Sequence, residues 1–156
     1  MKKLASVFLF SLVLLGCATS QNKSNFTDPK VKNYFLTMQS ISDNTSEMLI
    51  NVFPPAQTKF KLTNEIEKED VFGKLLLNDL RNAGYGVYET PKDKSIENQY
   101  VDTSSYIPFS YILKNERDNK KNYNLILNIN NQVITRSYTI DKKGNLISNS
   151  SWTKRN

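Results

Sequence analysis

Residues 70–83 carry the strongest periodic pattern in the chain, and this pattern restricts the fold more than any other feature. Acidic residues precede the segment, where negative charge complements a helix dipole, and Gly84 follows the last turn, where a left-handed residue is favoured. The apolar positions recur at helical spacing on one face; they are Phe72, Leu75, Leu76, Leu80 and Ala83. A helix with a single apolar face must pack on another layer, and we predict that this layer is a sheet.

Short segments with alternating polar and apolar residues predict the strands of that sheet. In residues 57–62, Thr58, Phe60 and Leu62 face one way and polar side chains face the other. Residues 85–89 form a second strand, and a polar surface loop at 90–105 follows it. Four more strands are predicted at 107–114, 123–129, 133–140 and 146–152, with Asn130-Asn131 as a tight hairpin. Since no helix separates these four, the sequence predicts an α+β fold: a small, mostly antiparallel sheet with one or two helices packed on one face.

The first helix is predicted to begin near Ser42 and Asp43, which can cap it, and to end before Pro54-Pro55. Residues 31–38 have helical character, but the polar residues 40–44 are expected to interrupt it. We therefore predict three regions: a signal peptide at 1–16, a lipidated cysteine and flexible tether at 17–41, and a single α+β domain at 42–156.

The amino terminus has the pattern of a targeting segment. Two lysines precede an apolar run of about 12 residues, which is typical of a secretory h-region and shorter than the roughly 20 residues that span a bilayer. The run ends in Leu14-Leu15-Gly16-Cys17, which resembles the lipobox of bacterial lipoproteins. The resemblance implies recognition of Leu14, Leu15 and Gly16 by the signal peptidase and attachment of membrane lipid to Cys17. The alternative is an ordinary signal peptide with an incidental cysteine.

The composition argues against most catalytic chemistry. One cysteine and no histidine exclude an intrachain disulfide, a zinc site with its preferred ligands and a histidine-activated nucleophile. The acidic run of Glu65, Glu67, Glu69 and Asp70 favours a solvated helix start over a metal or acid–base site. We predict no enzyme, no cofactor, no metal and no small-molecule substrate; the remaining alternative is a hydrolase that uses paired carboxylates. The formal net charge of +6 is spread along the chain, so no nucleic-acid surface is expected.

Several short motifs occur in an order that resembles a known family. The chain contains Phe53-Pro54-Pro55-Ala56, Phe72-Gly73, Leu80-Arg81, Gly84-Tyr85-Gly86-Val87, Thr135-Arg136-Ser137-Tyr138 and a terminal Trp152-Thr153-Lys154-Arg155. In this order, and after a lipobox, they resemble the conjugal transfer lipoproteins of the TrbH family. The resemblance implies an accessory envelope component of the mating-pair formation apparatus, a type IV secretion machine.

The expected role is a lipid-anchored scaffold that contacts other secretion-apparatus proteins. Ala18 after the cysteine, by resemblance to Gram-negative sorting rules, implies the outer membrane with the domain facing the periplasm. A general outer-membrane lipoprotein for envelope maintenance or small-ligand binding is the alternative. The candidate interface residues are Arg136, Tyr138, Trp152, Lys154 and Arg155, because arginine, tyrosine and tryptophan often dominate interfaces. The alternative for Tyr138 and Trp152 is that they fill the core.

Overall fold

The computed structural model describes residues 28–89, 102–116 and 121–156. Two helices, one short 3-10 turn and seven strands follow one another along these residues. Their bounds are α1 Pro29–Val52, the turn Pro55–Gln57, β1 Lys59–Leu62, α2 Val71–Asn82, β2 Gly86–Glu89, β3 Ile107–Asn115, β4 Asn122–Ile129, β5 Gln132–Ile140, β6 Leu146–Ser148 and β7 Thr153–Arg155.

The strands form one sheet in the order β2-β1-β3-β4-β5-β6, with β7 also paired to β5. β1 runs parallel to both β2 and β3, and the other pairs are antiparallel. The parallel pair β1–β2 follows from the helix between them, since a crossover through a helix returns the chain in the same direction. The predicted α+β class with a mostly antiparallel sheet is confirmed.

The two helices share one face of the sheet. Along β4, Tyr123, Leu125, Leu127 and Ile129 are buried and the residues between them are partly exposed. The buried side chains form one core with apolar residues of both helices. At its centre the ring of Phe60 lies 5.2 Å from that of Tyr85 and 5.3 Å from that of Phe109, measured between centroids. We call this covered side the inner face and the opposite side the outer face.

α2 begins and ends as the sequence predicts. The carboxylate of Asp70 caps its first turn by accepting the backbone N–H of Gly73 at 2.8 Å. The chain leaves the helix through Gly84, whose φ of +92° lies in the left-handed region. Phe72, Leu76 and Leu80 are buried, so the apolar face found in the sequence is the face that packs.

α1 is longer than predicted, and this corrects the predicted tether and domain start. The helix is continuous from Pro29, with Asp28 as its cap, so residues 29–41 are helical. Met38 and Ile41 lie in the core. The polar stretch at 40–44 does not break the helix because its side chains find partners: the Ser40 hydroxyl donates to the Leu36 carbonyl at 2.9 Å. The hydroxyl of Ser42 donates to the Asp79 carboxylate on α2.

The last predicted strand, residues 146–152, is a strand only as far as Ser148, and a separate short strand, β7, follows it at Thr153–Arg155. β6 pairs with β5 from Tyr138 to Ile140, and β7 pairs with β5 from Val133 to Thr135. The chain leaves the ladder between them, where the Ser150 hydroxyl accepts the backbone N–H of Ser137 at 3.1 Å. The break places Trp152 against the core cluster instead of in a ladder position. β5 is therefore an interior strand, and β6 and β7 form the sheet edge.

Several predictions lie outside the described residues. These are the signal-peptide residues Leu14, Leu15 and Gly16, the lipidation site Cys17, and most of the predicted loop at 90–105. Neither described helix is long and apolar enough to cross a membrane.

Candidate functional site

Two of the predicted interface residues converge on one side chain of α1. Arg136 and Tyr138 alternate along β5 and both lie on the inner face. The Oδ1 atom of Asn44 accepts a hydrogen bond from the Arg136 guanidinium at 2.9 Å and another from the Tyr138 hydroxyl at 2.9 Å. Tyr138 is only 1% exposed. This cluster therefore joins α1 to β5, and the ring of Tyr138 contributes to the core.

Arg136 also holds the carboxyl-terminal segment. Its guanidinium carbon lies 5.1 Å from the ring centroid of Trp152 and 5.7 Å from that of Tyr138. Cations over aromatic rings are attracted by the ring quadrupole, with about 0.5–2 kcal/mol per pair. Trp152 is partly buried and borders a shallow groove with Met48 and Val52 of α1. The contact between Arg136 and Trp152 thus holds the segment just before β7 against the domain.

The five predicted interface residues separate into two groups. Tyr138 is in the core, so the alternative interpretation holds for it, and Arg136 and Trp152 are partly buried against each other. Lys154 and Arg155 are exposed on the edge strand β7. Only the second group is freely accessible to a partner, and contact of any of the five with another protein stays a prediction.

We expect the stability of the fold to fall at alkaline pH because of two buried tyrosines. Burial raises the pKa of Tyr85 and of Tyr138 to about 12, above the ordinary value of 10.0. A raised pKa means that the folded state holds the proton more tightly, so this contribution is complete below pH 10 and is lost as pH rises toward 12. The free energy of unfolding in urea, measured across this range, should decrease.

The matched comparison is the double variant Tyr85→Phe, Tyr138→Phe. It loses two hydrogen bonds, including that from the Tyr85 hydroxyl to the Phe53 carbonyl at 2.6 Å, but it cannot ionise at these positions. Its unfolding free energy should be lower at neutral pH and fall less steeply above pH 10 than that of the wild type. Equal slopes would show that these hydroxyls do not control the alkaline transition.

The outer face of the sheet is the surface that reasoning from the sequence did not single out. Ile112 of β3 is 44% exposed, Val133 of β5 is 37% exposed and Ile147 of β6 is 49% exposed. Ile126 of β4 pairs with Ile112 and lies on the same face, diagonally beside Val133, whereas Ile147 pairs with Thr139 near the end of β5. We name these four residues the outer patch. Neither described helix covers it, since both helices pack on the inner face.

Polar side chains surround the outer patch in ladders between neighbouring strands. Asn128 donates to Ser110 at 3.1 Å, and Ser137 donates to Asn124 at 2.6 Å. Such ladders satisfy the polar groups of a water-facing sheet and hold their side chains in one arrangement. The apolar residues therefore stand in a rigid polar frame, which is the general anatomy of a protein interface.

Lysines and tyrosines interleave at the β1–β2 end of the outer face. The ammonium of Lys59 lies 5.7 Å from the ring centroid of Tyr106, and that of Lys61 lies 5.9 Å from the centroid of Tyr88. The two rings contact each other edge to face, with centroids 6.2 Å apart. Arg155 adds positive charge beside Val133, its register partner on β5. The outer face therefore favours an acidic partner surface.

The acidic run of the sequence forms a helix start. Asp70 caps α2 and accepts the Tyr111 hydroxyl at 2.6 Å, while Glu65, Glu67 and Glu69 are exposed. Burial and this hydrogen bond raise the pKa of Tyr111, so the hydroxyl stays protonated and donates. Within residues 28–89, 102–116 and 121–156, no group of three acidic or sulfur side chains could hold a metal ion.

The sequence motifs meet in space although they are separated along the chain. Tyr85 of Gly84-Tyr85-Gly86-Val87 donates to Phe53 of Phe53-Pro54-Pro55-Ala56 at 2.6 Å. A model of the family described as conjugal transfer protein TrbH matches residues 19–156. The chain belongs to the TrbH family. The resemblance found in the motifs is thereby confirmed, and TrbH membership makes this a conjugal transfer protein.

No curated protein and no solved structure matches the chain. The roles of the TrbH motifs are therefore assigned from the contacts that these residues make in this chain. Phe72-Gly73 lets α2 approach β3, and Arg136 and Tyr138 tie β5 to α1. Each of these motifs maintains the fold, and none of them lies in the outer patch.

Proposed function

We propose that this TrbH protein is a lipid-anchored scaffold of the conjugative type IV secretion apparatus that acts through protein–protein contacts. In this proposal Cys17 carries the lipid, the chain sits in the outer membrane and the domain faces the periplasm. Membership of the conjugal transfer family supports the pathway, and the open outer face supports binding to other proteins.

The outer patch is the observation on which the proposed contact rests. It joins exposed isoleucine and valine side chains to a rigid polar frame and a positive rim. Interfaces of this kind have an apolar centre that excludes water and charged residues that orient the partner. We infer that an acidic, apolar-centred surface of another envelope component of the apparatus covers the outer patch.

Plasmid transfer from donor cells tests the anchor and the contact together. A deletion of the gene should abolish or strongly lower transfer, and wild-type protein should restore it. Cys17→Ser should fail to restore it although the protein accumulates. Val133→Glu should lower transfer at least about tenfold, because the loss of about 1.4 kcal/mol of contact energy changes occupancy tenfold.

The matched control for Val133→Glu is Ile50→Glu. Ile50 is 41% exposed on α1, so the same apolar-to-acidic change falls on the other side of the domain. This variant should transfer the plasmid normally and retain the partners that copurify with the wild type. If deletion leaves transfer unchanged, the scaffold function is wrong and a general envelope role replaces it. If donors with Val133→Glu and donors with Ile50→Glu both transfer the plasmid normally, the outer patch does not bind the partner. The proposed anchor is tested separately, by Cys17→Ser.

A further inference from the structure

The apolar stripe of α1 continues beyond the body of the domain. Val31 and Tyr34 lie one heptad before Met38 and Ile41, so all four residues share a helix face. Met38 and Ile41 are at most 1% exposed, whereas Val31 and Tyr34 are each 47% exposed. The first two turns of α1 therefore present partly exposed apolar side chains, and Tyr34 lies on the side of the helix near Tyr123 and Asp70.

Lysines flank this partly exposed end, which also holds the carboxylates of Asp28, the cap of α1, and of Asp70 near Tyr34. Lys30 and Lys32 flank Val31, and both are exposed. The turn between β5 and β6 lies across a cleft from α1, with Asn145 opposite Leu36, and carries the exposed Lys142 and Lys143. The acidic group of that turn, Asp141, is held by the backbone N–H groups of the turn itself.

We propose that this end of the domain lies against the membrane surface, with Val31 and Tyr34 in the headgroup region and the lysines on anionic lipid. We name Lys30, Val31, Lys32 and Tyr34 the amino-end patch. Apolar side chains beside lysines at one end of a helix are the signature of an interfacial membrane contact. The proposal rests on the proposed lipid anchor at Cys17.

The position of the anchor decides between a membrane and other occupants. Roughly 11 residues separate Cys17 from the start of α1, and no chain of that length reaches further than about 40 Å. The amino end of α1 is therefore held close to the bilayer, at a high effective concentration of lipid. The outer patch lies on the opposite face of the sheet and is left free for protein contacts.

Site-directed spin labels test the contact in the lipidated full chain. The sequence has one cysteine, Cys17, which the anchor occupies, so an introduced cysteine is the only site that takes a label. Labels at Val31→Cys and, as control, at Ile147→Cys are compared in vesicles of phosphatidylethanolamine with phosphatidylglycerol. Collision with oxygen reports a lipid environment, and collision with a water-soluble nickel chelate reports water. The label at 31 should be protected from nickel, and the label at 147 should be exposed to it.

Charge reversal separates the lysine contribution from the tether. Lys32→Glu should lower the ratio of docked to free domain at least about fivefold, because each lysine near an anionic surface contributes that factor. Lys154→Glu, on the exposed strand β7, is the matched control and should leave the ratio unchanged. Vesicles of phosphatidylcholine alone should also release the label at 31.

Three results would overturn the proposal. In the first, the label at 31 is as accessible to nickel as the label at 147. In the second, its protection depends on protein density instead of lipid charge, which would assign the amino-end patch to a second copy of the chain. In the third, mass spectrometry finds no acyl group on Cys17, so nothing holds this end at the membrane. The first two results would leave the lipid anchor and plasmid transfer untouched, so the membrane contact can fail while the scaffold function stands. The third would remove the anchor on which both proposals rest.

Discussion

Gly73→Ala is expected to destabilise the domain by about 3 kcal/mol or more, which is a large part of the total stability of a small domain. A Cβ atom at this position would lie 1.8 Å from the Tyr111 hydroxyl oxygen and 2.7 Å from an Asp70 carboxylate oxygen. Tyr111 is largely buried and cannot move aside without losing its hydrogen bond to Asp70. Urea unfolding of the two proteins, followed by circular dichroism, measures the difference.

A double-mutant cycle with Tyr111→Phe tests the cause. Phenylalanine removes the nearest atom, so Gly73→Ala should cost at least about 1 kcal/mol less in that background than in the wild type. Gly86→Ala serves as control, because its Cβ would lie 3.2 Å from the flexible Lys59 side chain, which can give way. Equal costs of Gly73→Ala in both backgrounds would mean that the hydroxyl is not the obstacle.

A chain shortened to begin at Ser42 is expected to remain unfolded, whereas one that begins at Asp28 should fold. The shorter chain lacks Met38 and Ile41, which are almost fully buried against α2 and the sheet. Loss of each such side chain costs about 2–5 kcal/mol, and together they approach the stability of a small domain. Amide dispersion in NMR spectra and cooperative thermal unfolding distinguish the two outcomes.

The double variant Met38→Ala, Ile41→Ala in the longer chain provides the control for this truncation. It keeps the backbone of residues 28–41 and removes only their core contacts, so it should lose most of the stability that the truncation loses. Leu36 is 47% exposed, so the matched variant Leu36→Ala should have a free energy of unfolding close to that of the wild type. Cooperative folding of the chain that begins at Ser42 would restore the predicted domain boundary.

The prediction of α1 failed at a polar stretch whose behaviour depends on remote contacts. Serine and asparagine favour helix ends because their side chains compete for backbone groups. Here Ser42 donates to Asp79 of α2, and Asn44 accepts from β5, so these side chains have partners and the helix continues. Those partners lie 37 and 92 residues away along the chain, beyond the reach of a local pattern.

The candidate site also depends on remote contacts that a local sequence pattern does not reveal. The residue types that dominate interfaces also fill cores, and the sequence pattern of β5 does not tell which of its faces is covered. Tyr138 is buried because α1 covers the inner face of β5, where the hydroxyl reaches Asn44, 94 residues earlier in the chain. Ile112 and Val133 resemble core residues in the sequence but lie exposed, since both helices pack on the inner face.

The sequence by itself determined the features that depend on neighbouring residues. These are the cap and apolar face of α2, the alternation that marks β1 and the strands after residue 107, and the motif order that belongs to the TrbH family. Only the tertiary structure decided how far α1 extends, where the last predicted strand stops and which aromatic residues are buried. The physical reason is that periodicity and capping act within a few residues, whereas burial depends on which distant segments share a face.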